Sequence, residues 1–137
     1  MTRDMDLVRE LLLRIDADPK YDGIGQFEIV ETAGEGEGEP DGDGFVPGRS
    51  HEEVVYHLRL LIDAGYIEGK RTLGGAVFSQ LTWQGHELLD SVRDPEAWRR
   101  TKEGARKVGS GSLDFMWQLA KAYGKQLAKE KLGLDLP

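Results

Sequence analysis

Cysteine is absent from all 137 residues, which excludes disulfides and thiolate metal sites. Histidine is scarce: His51, His57 and His86 are the only imidazoles. His51 and His57 stand six positions apart, about 240° around a helix, so they cannot share a metal ion. His86 reads as a surface or partly buried residue, not a ligand. No apolar run approaches the ~20 residues of a transmembrane helix, and Met1-Thr2-Arg3-Asp4 does not lead into a signal peptide. The expectation is therefore a cytoplasmic protein with no membrane partner. The glycines of Gly34-Glu35-Gly36-Glu37-Gly38 have no lysine after them, and their acids would repel phosphate. No Ser-His-Asp spacing is visible. These absences argue against an enzyme: no catalytic residue, cofactor or metal ligand is expected.

Positive charge is also scarce in the first third of the chain. Residues 1–48 hold four basic and thirteen acidic side chains, a net of −9. Residues 49–137 hold fourteen basic and twelve acidic, a net of +2. Overall acidity disfavours loose attraction to nucleic acid, yet the asymmetry permits a local basic face in the second half.

What is present begins with a helix over residues 4–16. Met5, Val8, Leu11, Leu12 and Ile15 form one apolar stripe, and Asp4 is its N-cap. Asp18-Pro19 ends it. Phe27-Glu28-Ile29-Val30 alternates as a short strand within residues 25–31. Residues 32–48 are glycine and acid with little else, too polar to offset the entropy of ordering, so 33–44 is expected to be a flexible loop. The acids there lack the spacing and closing glutamate of a calcium loop. An acidic decoy for a partner's basic groove is a second reading of the same segment.

The stretch from Ser50 to Val92 organises the rest. Ser50 and Glu53 make a capping box, and Val54, Val55, Leu58, Leu61 and Ile62 share one face of the helix that follows. Gly65 closes it in the left-handed conformation. Two strands, 66–71 and 76–81, flank the turn Thr72-Leu73-Gly74-Gly75. Thr82 caps a helix over 83–92. The order helix, hairpin, helix, with the strand at 25–31 added as a third, is that of a winged helix-turn-helix. The usual second helix has no obvious sequence.

A helical extension completes the chain. Pro95 opens a helix over 95–107 that carries Arg99, Arg100, Lys102, Arg106 and Lys107, with Trp98 packed behind them. After Gly109-Ser110-Gly111, a last helix over 113–132 starts from Ser112 or Asp114 as its cap. Its apolar positions include Met116, Trp117, Ala120, Tyr123, Leu127 and Leu132. Ala120, Gly124 and Ala128 recur every four residues, which permits close approach of another helix, from the same domain or from a second copy in a homodimer. The fold class is α+β, mainly α: a winged helix-turn-helix over 1–92 and a C-terminal extension over 93–137.

The pattern His57-Leu58-x-x-Leu61-x-x-Ala64-Gly65-Tyr66-Ile67, then Leu81-Thr82-x-x-Gly85-x-x-Leu88-Leu89, resembles bacterial winged-helix regulators. With Arg3-Asp4-Met5-Asp6-Leu7-Val8-Arg9, Leu81-Thr82-Trp83-Gln84-Gly85-His86-Glu87 and Leu127-Ala128-Lys129-Glu130-Lys131-Leu132, the chain more closely resembles the family called domain of unknown function 2513. That family occurs in bacteria, often in phage-related regions. The resemblance spans the chain except the acidic segment 32–47. It implies a winged-helix-like fold and carries no activity and no catalytic residue.

Two functions follow. The first is a DNA-binding transcription regulator, with double-stranded DNA held by Arg49, Arg59, Lys70 and Arg71 around the wing and by Arg99, Arg100 and Lys102 on the basic helix. The second is a protein-binding adaptor or inhibitor. The outward face of helix 50–64 holds Glu52, Glu53, Tyr56, Leu60 and Asp63, and three carboxylates repel a phosphate backbone. Tyr56 and Leu60, expected to be exposed, suit a protein partner better.

Overall fold

The computed structural model describes residues 2–31, 45–109 and 113–133, with the side chain of Leu113 outside the description. The expected loop 33–44 and the Ser112 cap lie outside the described residues. Five helices and one antiparallel sheet make the fold α+β and mainly α: α1 Met5–Ala17, β1 Phe27–Val30, α2 His51–Asp63, β2 Ile67–Thr72, β3 Gly75–Leu81, α3 Trp83–Val92, α4 Pro95–Val108 and α5 Leu113–Leu132. Among the described residues, no helix lies between β1 and α2, and none is long and apolar enough to cross a membrane. The chain forms two compact units, Met1–His86 and Glu87–Pro137. The division falls inside α3, because the first turn of that helix is fastened to the end of α2 and the start of β2.

In the first unit, local signals set the helix ends. The Asp4 carboxylate accepts from the backbone N–H groups of Asp6 and Leu7, which starts α1. The capping box of Ser50 and Glu53 starts α2. Such a cap is worth about 1 kcal/mol. Gly65 ends α2 with φ of +86°, and its N–H returns to the Ile62 carbonyl. The core is the meeting of the two helix stripes with the sheet: Leu7, Leu11, Leu12 and Ile15 of α1, Val54, Val55, Leu58 and Leu61 of α2, and Ile67 and Phe78 of the strands are almost wholly buried.

The sheet has the order β1-β3-β2, with both pairs antiparallel. β3 is central, so the strand after α1 does join the hairpin as its third member. Alternation fails in β3 because the register shifts opposite Glu68/Gly69 and leaves Ser79 as an extra residue. A side chain at Gly69 would bring its Cβ to 2.3 Å from the Val77 carbonyl oxygen, which explains the glycine there. The turn is shorter than expected. Leu73 and Gly74 alone make it, with Gly74 at φ +83°. Gly75 belongs to β3 instead, and its glycine serves close approach: a Cβ there would lie 2.0 Å from the Ile29 carbonyl oxygen of β1. One side of the sheet carries an aromatic cluster, in which Tyr21 meets Phe27 at 4.9 Å and Phe78 at 5.2 Å, and Phe45 meets Phe78 at 6.0 Å between ring centroids. Phe45 and the buried Val46 return the chain to the core after residue 44.

α3 begins where Thr82 accepts from the Gly85 N–H and donates its hydroxyl to the Gly65 carbonyl. A Cβ at Gly85 would sit 2.1 Å from the Tyr66 carbonyl oxygen, so the helix start lies directly against the backbone at the start of β2.

In the second unit, Asp94 caps α4 through the N–H groups of Glu96 and Ala97, and Gly109 ends it at φ +78°. α4 buries Ala97, Trp98, Thr101, Gly104 and Ala105. The Thr101 hydroxyl, fully buried, is satisfied by donating to the Ala97 carbonyl at 2.7 Å. α4 packs on α5 with Gly104 at the crossing, where a Cβ would stand 2.7 Å from the Tyr123 hydroxyl. Met116, Ala120 and Leu127 are the buried face of α5, while Leu132, expected on that face, is exposed at its end.

Candidate nucleic-acid and protein interface

The helix before the hairpin is the one a winged helix would present to DNA, so its side chains are the first test of that reading. Arg59 stands on α2 with only about a fifth of its side chain exposed. Its Nε donates to the Gly75 carbonyl at 3.0 Å, Nη2 to the Thr72 carbonyl at 3.0 Å, and Nη1 to the Glu31 carboxylate at 3.1 Å. These bonds clamp both ends of the turn and the strand beside it. Arg59 is thus a clasp between α2 and the hairpin, not a cation held out at the edge. The reason is geometric: residues 72 and 75 leave carbonyls at the mouth of a tight turn, and a guanidinium can donate to several acceptors at once.

The other expected phosphate contacts are mostly held internally as well. Arg49 pairs with Asp4 at 2.7 Å and with Glu53 at 3.1 Å. Arg71 pairs with Asp63 through Nε at 3.0 Å and through a second bond from Nη2, a side-on fork on the last turn of α2. Arg99 pairs with Glu103 at 3.0 Å. Arg100 bridges Glu96 at 3.1 Å and Glu130 at 3.4 Å, while Lys131 reaches Glu96 at 2.9 Å. Lys102 lies 5.7 Å from the ring of Trp98, which is buried behind it as expected. Lys70, on β2, is exposed and has no acidic partner among the described residues. Five of the seven nominated cations therefore face carboxylates of the chain itself.

These pairs leave their mark on the acids. Hydrogen bonds from Arg71 hold the Asp63 carboxyl below its ordinary range. Arg49 does the same for Glu53, and Lys131 for Glu96. At Asp4, burial pushes the carboxyl up, but Arg49 and the two cap N–H groups together outweigh it.

The acids of the outward face of α2 are likewise engaged. Glu53 serves the capping box and Arg49, and Asp63 serves Arg71, which leaves the exposed Glu52 as the carboxylate of that face without a basic partner among the described residues. Tyr56 and Leu60 sit four apart on the same stripe. Both are half-buried, not exposed as expected, because neighbouring turns of α2 and the elements it packs on shield part of each side chain. Leu73, at the tip of the hairpin, is fully exposed. Reasoning from cations alone misses it. The signal lies in the sequence all the same: an apolar residue in a two-residue turn has no core to enter.

Helical angle places His57 on the flank of α2. It is almost wholly buried instead. Its Nε2 accepts from the Asp4 backbone N–H at 2.8 Å, and its Nδ1 lies 2.8 Å from the Glu53 carbonyl, to which it donates. The imidazole joins the start of α1 to the start of α2 and uses both nitrogens in its neutral form. His86 lies 3.6 Å from Asp16. No group of three or more His, Asp or Glu residues is arranged for a metal among the described residues.

Gly124, nominated for helix contact, lies on α5 with open space where a Cβ would stand. It lines a groove of about 530 Å³ in the second unit.

Fold and site together define an α+β chain built on a central helix, a hairpin and a following helix, with five of the seven candidate cations turned to its own acids. The sequence model of the family described as "Hypothetical protein (DUF2513)" matches residues 2–112. A protein of Haemophilus influenzae (strain ATCC 51907 / DSM 11121 / KW20 / Rd), described as an uncharacterized protein, is 32% identical over 136 residues, which covers 96% of this chain and 99% of that one. The chain belongs to the DUF2513 family. No solved structure matches it.

Proposed function

We propose that this chain is a non-enzymatic winged-helix module that holds another protein on the surface formed by α2 and the wing. The observation that carries this reading is the state of the cations. Arg49, Arg59, Arg71, Arg99 and Arg100 are each bonded to carboxylates of the chain, and Arg59 to two carbonyls besides. A duplex would have to displace those acids before it gained phosphates, and the displaced carboxylates would remain beside the backbone. Tyr56 and Leu60 on the helix, with Leu73 on the hairpin that the helix clamps, offer aromatic and aliphatic contact.

A DNA-binding regulator is the second reading. The strand order β1-β3-β2 behind a helix that leads into a hairpin supports it, as does the exposed Lys70 on the wing.

One experiment separates them. A photo-crosslinking amino acid placed at Tyr56 in cells making the full chain should yield a discrete protein adduct that Leu60→Ala diminishes. In parallel, a random DNA duplex is titrated by fluorescence anisotropy at low salt. Absence of the protein adduct, together with duplex binding that falls steeply with salt and weakens in Lys70→Glu, would overturn the protein-binding reading in favour of DNA.

A further inference from the structure

The groove in the second unit is open, apolar on its floor and charged on its walls. Ala97, Ala120 and Leu127 are buried beneath it, and Gly124 and Ala128 of α5 leave its floor without bulk. A Cβ at Gly124 would touch nothing within 4 Å. One wall, from the end of α3 and the start of α4, carries Asp90 and Asp94. The other, on α5, carries Lys121, Lys125 and Lys131, of which Lys121 lies 4.5 Å from the ring of Trp117 and Lys131 pairs with Glu96 at 2.9 Å. Asp90 has three-quarters of its side chain exposed, and its pair with Arg93 is long, at 3.9 Å. Lys125 is exposed and has no acidic partner among the described residues. Leu132, at the end of the same groove, exposes about two-thirds of its surface.

We infer that this groove receives α5 of a second copy of the chain. A surface with an acidic wall and a basic wall is complementary to itself under a two-fold rotation, which sets each copy's lysines against the other's aspartates. A small ligand of one charge has no such match. The 20 residues of α5 span about 30 Å, enough for several turns of contact on either side of a crossing. With the crossing at Gly124, no side chain holds the two helices apart, and the exposed Leu132 of each copy gains apolar cover. The pairing is isologous: each groove both gives and receives a helix.

Sedimentation equilibrium of the full chain over a wide concentration range tests this. The expected result is a reversible dimer. Asp90→Lys and Lys125→Glu should each weaken self-association at least about tenfold through like-charge contact, and the double variant Asp90→Lys/Lys125→Glu should recover it. Gly124→Leu fills the groove and should give a monomer. Leucine is a better helix former than glycine, so circular dichroism should show helix content retained and the loss of the dimer should not reflect unfolding. A wild-type chain that stays monomeric at every concentration overturns the inference. So does a dimer indifferent to the single charge reversals, whatever Gly124→Leu does.

Discussion

α2 and α5 are both amphipathic, charged helices, yet they spend their side chains in opposite ways. On α2, the polar groups are turned inward to the chain itself: His57 to the start of α1, Arg59 to the turn of the hairpin, Asp63 to Arg71. On α5, Gly124 faces open space and Lys125 and Leu132 stand without cover. The helix that a winged helix would offer for recognition is here a structural hub. The difference teaches that position within a motif and availability for contact are separate properties. A cation counts toward recognition only after its own chain's acids and carbonyls have been accounted for.

The contrast breaks most visibly at Arg59. Replacing it by leucine removes three hydrogen bonds, two of them to part-buried carbonyls at the turn, and takes the arginine away from Glu31. Arg59→Leu should cost about 2–3 kcal/mol in urea unfolding. A cost near zero would show that α2 does not hold the hairpin and would return Arg59 to the pool of free cations.

A smaller effect is expected from acid. Asp63 has a folded pKa below its unfolded value, so its contribution is present above the unfolded value, about 3.9, and is lost as pH falls through the lower folded value. The same sign holds for Glu53 and Glu96. Thermal unfolding should therefore vary little on this account between about pH 5 and 7 and fall below about pH 4. Asp63→Asn should flatten that acid limb, and an unchanged limb would mean that the Arg71 fork does not persist in solution. The smallest effect belongs to α5. Lys129→Ala, an exposed change on a helix face with no acidic partner among the described residues, should shift stability by no more than about 0.5 kcal/mol. A larger loss would mean that the side chains of α5 are tied into their own fold as firmly as those of α2.

Much of the fold can be read along the chain. Spacing and caps place the helices at 83–92, 95–107 and 113–132 within a residue of their ends, and the three strands pair as expected. The capping box at Ser50 and the glycine stops at Gly65 and Gly109 are interactions over three to five residues, so sequence spacing is enough to find them. The candidate interface is much less legible. Arg59 and Glu31 are 28 positions apart, and His57 and Asp4 are 53 apart. Helical angle sets His57 on a flank because a helical wheel considers one helix and cannot know that the start of α1 closes over that side.

The amino-acid order alone determined where helices begin and end, where the three strands fall, and that the chain is α+β with acids gathered in its first third. Those are local matters, decided by caps, glycines and the period of apolar side chains. Tertiary structure alone decided what each charge does. It bonded five nominated cations to acids, buried His57 between two helix starts, made Gly75 a point of close approach instead of a turn, and left Gly124 open. Pairing of charges depends on which distant segments meet, and only the packed chain brings those segments together.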